Sequence, residues 1–113
     1  DVLFLGIFER QRGLHIGNIK YEPIDEVNRT AELGVLIGDP DWRGKGVARE
    51  AISASARWMH EHLGITRVLL GVEKANGPAM SAYLQSGFRP VDTIVDPRAL
   101  GEIVRMEFRV PSP

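Results

Sequence analysis

The sequence predicts a mixed α/β (α+β) fold, in which antiparallel hairpins flank one parallel strand, helix, strand unit, and three observations predict it. Short segments alternating apolar and polar residues occupy both ends of the chain, a stripe of helical period lies in the middle, and a nearly unbroken apolar run follows that stripe. Strand, helix and strand in that order make a right-handed crossover between parallel neighbours. At 113 residues, with 43% hydrophobic and 26% charged side chains, the chain suits a single domain over residues 1–113 and shows no sign of compositional disorder.

Each element follows from its local pattern. "LFLGIFE" (Leu3 to Glu9) and "LHIGNIKYE" (Leu14 to Glu22) read as a hairpin joined through "RQRG", with Gly17 hinting at a bulge. "PIDEVNRT" reads as a connecting loop, and "AELGVLIG" (Ala31 to Gly38) alternates Leu33, Val35 and Ile37 as a third strand. From about Lys45 to Leu63 the period becomes helical: Arg49, Glu50, Ser53, Arg57, His60 and Glu61 share one side, while Ala48, Ile52, Ser55, Met59 and Leu63 share the other. Gly64 is placed to end this helix. "RVLLGV" (Arg67 to Val72) reads as a central strand covered on both faces. In "NGPAMSAYLQSGF", Asn76 is placed to cap a short helix with Pro78 in its first turn and Gly87 beyond its end. "RPVDTIV" and "EIVRMEFRV" close the chain as a second hairpin.

Composition removes several classes of function. A net charge of -1 leaves no positive field to gather DNA or RNA, so no nucleic-acid partner is expected. The chain has no cysteine, and therefore no disulfide, no thiolate nucleophile and no cysteine-bound zinc, which fits an intracellular, cytoplasmic setting. No apolar run approaches the ~20 residues of a membrane helix, so no membrane partner is expected. His60 and His62 diverge on a helix and do not form H-E-x-x-H, so no metal is expected, and no G-x-S-x-G elbow is present.

The most informative stretch is "GDPDWRGKGVAREAIS", Gly38 to Ser53. A helix start presents unpaired N–H groups and the positive end of a dipole, and Gly44 and Gly46 leave the approach unobstructed while Arg43 and Lys45 add charge suited to phosphate. The P-loop pattern fails, because Asp39 stands at its first glycine and Gly46 at its Ser or Thr; the dinucleotide fingerprint fails at Arg49. What remains is R-G-K-G-V-A, an R-x-x-G-x-A arrangement, readable either as a tight turn or as an anion seat.

Arg43-Gly44-Lys45-Gly46-Val47-Ala48, the preceding "LIGDPDW", the helix, the apolar strand and "NGPAMSAYLQSGF" together resemble the GNAT superfamily of acyl-CoA-dependent N-acetyltransferases, over roughly Leu14 to Arg89. "HIGNIKYEPID" and "AELGVLIGDPDWRGKGVAREAI" are similar to its branch that acetylates ribosomal-protein N-termini, with spermidine acetyltransferases nearby. The resemblance implies a mixed, mostly antiparallel sheet whose parallel strands "AELGVLIG" and "RVLLGV" splay apart to hold the pantetheine arm. It implies acetyl-CoA as co-substrate: the backbone of Leu36, Ile37 and Gly38 along pantetheine, the loop Arg43, Gly44, Lys45, Gly46, Val47 and Ala48 on the pyrophosphate, Asn76 on the cofactor arm and Tyr83 beside the CoA sulfur.

Acetyl transfer needs a neutral amine, donors for the developing oxyanion and a proton for the departing thiolate. Tyr83 is the candidate general acid; without the resemblance it reads as an ordinary half-buried tyrosine. Asn76 serves equally as a helix cap. The resemblance implies a glutamate in some relatives where this chain has Gly71, which leaves Glu32, Glu73 or bulk solvent to take the amine proton. The expected activity is acetylation of a primary amine, on a peptide or small molecule; the alternative is a non-catalytic acyl-CoA-binding or interaction module. The resemblance also implies an amino-terminal strand and two helices that this chain lacks, so a fragment truncated at its amino terminus is expected, with a sheet edge able to pair with a second copy as a homodimer.

Overall fold

Strands β1 (Leu3–Phe8) and β2 (His15–Asp25) form the expected hairpin, with Leu3 opposite Tyr21 and Ile7 opposite Gly17. The computed structural model describes residues 2–8, 10–38, 46–96, 98 and 101–110, and of residues 35–38, 47, 48 and 96 the backbone alone. The register slips between Ile7 and Phe8, so Ile16, beside Gly17, is the extra residue of a bulge. Strand β2 continues through Pro23 to Asp25, longer than the sequence pattern suggests. Proline can donate no ladder hydrogen bond, and here it falls within a register shift between Tyr21 and Ile24 that removes the need for one. The connection to β3 (Thr30–Gly38) is accordingly a short turn, tightened by Asp25, whose carboxylate accepts from Asn28 N at 3.0 Å and Asn28 Nδ2 at 2.7 Å.

Helix α1 (Val47–Leu63) ends where Gly64 takes a left-handed conformation (φ 72°) and donates back to His60 O. Strand β4 (Arg67–Glu73) then pairs parallel with β3, and α2 (Gly77–Gln85), β5 (Arg89–Asp96) and β6 (Gly101–Arg109) complete a six-stranded sheet of order β1-β2-β3-β4-β6-β5. Among the described residues only β3 and β4 pair in parallel. The fold class, a mixed and mostly antiparallel sheet with flanking helices, is as the sequence implied.

Both helices lie on one face. Ile52, Ala56 and Met59 of α1 are buried against Ile19, Tyr21, Ala31, Leu33, Val68, Leu70, Val104 and Met106, and Ala79, Met80 and Tyr83 of α2 pack on the same cluster. At roughly 1.5–3 kcal/mol for each large apolar side chain taken from water, this layer is what holds the sheet and helices together. The alternate residues of β4 and β6, among them Leu69, Gly71, Arg105 and Glu107, turn to the opposite face, which no described helix covers. In this respect β4 departs from expectation: it is central in the sheet, but Val68, Leu70 and Val72 are buried while Gly71 is exposed. No helix among the described residues is long and apolar enough to cross a membrane.

Candidate functional site

The site begins with a parting of strands. Pairing between β3 and β4 runs through Thr30–Arg67, Ala31–Val68 and Glu32–Leu69 and then stops. Beyond it β3 stays bonded to β2 as far as Gly38, and β4 stays bonded to β6 as far as Glu73. The two strands therefore splay, each exposing a row of unpaired backbone N–H and C=O groups to the gap. The cause lies in β3: Lys20 faces Val35 and Tyr21 faces Leu33, which makes Gly34 an extra residue that bends the strand. Sequence reading missed the role of Gly34, although a glycine inside an alternating strand is the usual mark of a bulge.

Leu36, Ile37 and Gly38 lie on this gap, held from behind by pairing to Ile19, Asn18 and Gly17. At the same end of the parallel pair, α1 begins. Gly46 is its N-cap in a left-handed conformation (φ 76°, ψ 11°), its carbonyl accepts from Glu50 N at 3.0 Å, and it supplies no side chain to cap the first turn. The N–H groups of Val47 and Ala48 in that turn, like those at any helix start, have no partner within the helix and lie at the positive end of its dipole. A Cβ added at Gly46 would meet nothing within 4 Å, so the glycine answers to backbone conformation and open approach and not to crowding. Arg43, Gly44 and Lys45 lie outside the described residues.

Helix α2 starts at the carboxyl end of β4, again at the mouth of the gap. Asn76 caps it as expected, its Oδ1 accepting from Ala79 N at 3.2 Å, which leaves its amide N–H groups outside the cap. Lys74 fixes the approach to this helix, its Nζ 3.0 Å from Glu102 and its backbone N donating to Glu102 O at 2.9 Å. Tyr83 lies further along α2, half-buried, its ring edge-on to Phe88 with centroids 5.7 Å apart. Burial pushes its phenol above the ordinary tyrosine value, so it carries its proton at neutral pH. Gly87 (φ 104°) then turns Phe88 into the core, where a Cβ at Gly87 would lie 3.0 Å from the Phe108 ring.

Glu32 stands in the last paired rung before the strands part, opposite Leu69 and half-buried. Gly71 follows on β4, where a Cβ would approach Ile103 Cγ2 to 3.1 Å, so a side chain there would crowd β6. Glu73, at the end of β4, is exposed. Helix starts and strand ends thus converge at the carboxyl ends of the parallel pair, the usual place for a ligand in such sheets, while Glu32, the third residue of β3, lies back at the root of the gap. Among the described residues no group of three or more His, Asp or Glu is gathered for a metal ion.

A family model described as acetyltransferase (GNAT) domain matches residues 2–89. The chain belongs to that family. It is 33% identical over 73 residues to an N-acetyltransferase 9-like protein of Caenorhabditis briggsae, covering 64% of this chain and 37% of that protein. It is 42% identical over 64 residues to a mycothiol acetyltransferase of Propionibacterium freudenreichii, covering 57% of this chain and 20% of that one. The chain therefore spans well under half of these curated relatives. Its fold is shared with the spermidine N-acetyltransferase of Vibrio cholerae in complex with CoA and spermine, at a TM-score of 0.82 and 23% identity over 96% of this chain and 66% of that one.

Proposed function

We propose that the chain binds acetyl-CoA and transfers the acetyl group to a primary amine by direct attack in a ternary complex. The observation that carries this reading is the parting of β3 and β4 beside a helix start whose N-cap is a glycine. The backbone of Leu36, Ile37 and Gly38 offers donors and acceptors to the amides of pantetheine, and the first turn of α1, from Gly46 through Val47 and Ala48, seats the pyrophosphate together with Arg43, Gly44 and Lys45. Family membership and the CoA complex of the Vibrio cholerae structure support the co-substrate. The spermine in that complex, and the acetyltransferase names of the relatives, support an amine acceptor.

In the reaction the neutral amine attacks the thioester carbonyl, the new N–C bond forms and the C–S bond breaks. Glu32, through water, takes the proton that nitrogen loses, and Tyr83 gives its proton to the departing thiolate, leaving amide and free CoA thiol. A phenol that burial keeps protonated is suited to that second step. The amide N–H groups of Asn76 are free of the helix cap to hold the pantetheine arm.

A second reading, a non-catalytic acyl-CoA-binding module, draws on the glycine at position 71. The two are separated by following thiol release from acetyl-CoA with a panel of amines, alongside calorimetry with CoA. Turnover that falls about a hundredfold in Tyr83→Phe with CoA affinity unchanged supports the enzyme. CoA binding without thiol release supports the module, and no CoA binding overturns both.

A further inference from the structure

Helix α2 ends on a stop that is built from the candidate acid. Ser86 closes the helix and Gly87 takes a positive φ of 104°. Two backbone bonds cross the turn: Phe88 N donates to Tyr83 O at 3.0 Å, and Gly87 N donates to Leu84 O at 3.1 Å. Together they form a common glycine-terminated helix stop, in which the side chains of the two outermost residues come into contact. Here those residues are Tyr83 and Phe88, and their rings meet edge to face, with centroids 5.7 Å apart and planes at 68°.

The two partners are held very differently. Phe88 is completely buried, and its ring lies 5.6 Å from that of Phe108 on β6. Phe108 also fills the space over Gly87, where a Cβ would come within 3.0 Å of its ring, so a side chain at the turn would strain both the backbone and this packing. Arg89 ties the far side of the stop, its Nη1 donating to Phe88 O at 2.8 Å and to Leu84 O at 3.2 Å. Tyr83 is only half-buried, and among the described residues its hydroxyl has no hydrogen-bond partner. Tyr21, the other tyrosine, is by contrast anchored through its hydroxyl, 2.7 Å from Ser55 Oγ. The direction of the Tyr83 phenol is therefore set by packing, and its ring contact is Phe88.

Resting on the acetyltransferase reading, in which Tyr83 gives its proton to the departing thiolate, we infer that Phe88 is a positioning residue. It holds the Tyr83 ring in the orientation from which the hydroxyl reaches the sulfur, so the helix stop and the aim of the acid are one device. A reacting group displaced by about 1 Å forfeits up to about a hundredfold in rate, so a Tyr83 ring left free to turn costs turnover without costing co-substrate binding.

The experiment is a double-mutant cycle: thiol release from acetyl-CoA with the panel of amines, in the wild type, Phe88→Leu, Tyr83→Phe and the double variant. Phe88→Leu should lower kcat about tenfold in the wild type and less than about twofold in the Tyr83→Phe background, with KM for acetyl-CoA within about twofold throughout. Phe88→Met, whose flexible chain refills the space, takes the place of Phe88→Leu if thermal melting shows the latter unfolded. Equal losses in both backgrounds assign Phe88 to core packing and overturn the inference. No loss in Tyr83→Phe alone overturns the acid role of Tyr83, and the inference falls with it. A second measurement needs no turnover: NMR three-bond couplings about the Tyr83 Cα–Cβ bond, in the unliganded chain, should report one rotamer in the wild type and an average in Phe88→Leu. A Tyr83 ring equally ordered in both overturns the inference. Where no amine is acetylated, order lost in the variant supports the hold of Phe88 on Tyr83 while the acetyltransferase reading fails.

Discussion

Gly46 permits a test in which folding and ligand binding move in opposite directions. It takes φ 76° at the N-cap of α1, a conformation that Asn and Asp tolerate best after Gly, and a side chain there would extend into open space. Gly46→Asn and Gly46→Asp therefore carry about the same backbone cost and differ by one charge. In the folded protein that charge sits at the positive end of a 17-residue helix, so Asp should be as stable as Asn or more so, by up to about 1 kcal/mol. Bound pyrophosphate reverses the sign. A unit charge about 5 Å from a phosphate at an effective dielectric of about 20–40 costs roughly 2–3 kcal/mol, or about 30- to 150-fold in Kd. Thermal melting and calorimetry with CoA read the two quantities separately. Equal CoA affinities for the two variants, at equal or higher stability of Asp, would refute the placement of pyrophosphate at this helix start.

Two further predictions concern protons. Tyr21 is fully buried, 2.7 Å from Ser55 Oγ, and burial pushes its phenol up from 10.0 to about 12, with the Ser55 hydrogen bond opposing. The raised value favours the neutral form in the native state, so its stabilisation is complete below pH 10 and is lost as pH climbs towards 12. The wild type should lose roughly 2–3 kcal/mol over that interval that Tyr21→Phe does not lose, measured by urea unfolding at a series of pH values; parallel profiles would contradict this. Glu32→Gln should lower kcat/KM about a hundredfold at neutral pH, with the deficit shrinking as pH nears the acceptor amine's own value of about 10, where free amine no longer needs a base. A deficit constant across that range would remove Glu32 from the role of base.

Most of the element order was legible because the chain signals its ends with residues whose physics is local. Gly64 and Gly87 adopt positive φ where the helical patterns stop, and Asn76 accepts from Ala79 N as its position before Gly-Pro implied. The start of α1 at Gly46 was legible for the same reason, since an N-cap without a side chain is a property of one residue. The splay was available from sequence only through family resemblance. Its cause, an extra residue at Gly34, depends on which residue of β2 faces which residue of β3, and register is a property of two strands. The pairing of Tyr21 with Ser55 spans 34 positions and left no local trace.

The gap has a mechanical requirement that explains where the chain spends its strongest packing. Opening β3 from β4 forfeits ladder hydrogen bonds, and glycines at positions 34 and 71 weaken their strands further, by about 0.5–1 kcal/mol each relative to alanine. The loss is concentrated next to Leu33, the residue that pairs with Tyr21 immediately before the bulge. There β2 and α1 are joined by the Tyr21–Ser55 hydrogen bond, and Ser55 also donates to Ala51 O at 2.6 Å. Ile52, Ala56 and Met59, on the turns either side of Ser55, are completely buried against the same strands. The helix that presents its first turn at the gap is thus clamped to the sheet at the point where the sheet parts. Any motion that closed the gap by restoring pairing between β3 and β4 would have to straighten β3 under this clamp. A close-packed interior resists that deformation, so the opening is held by the core behind it.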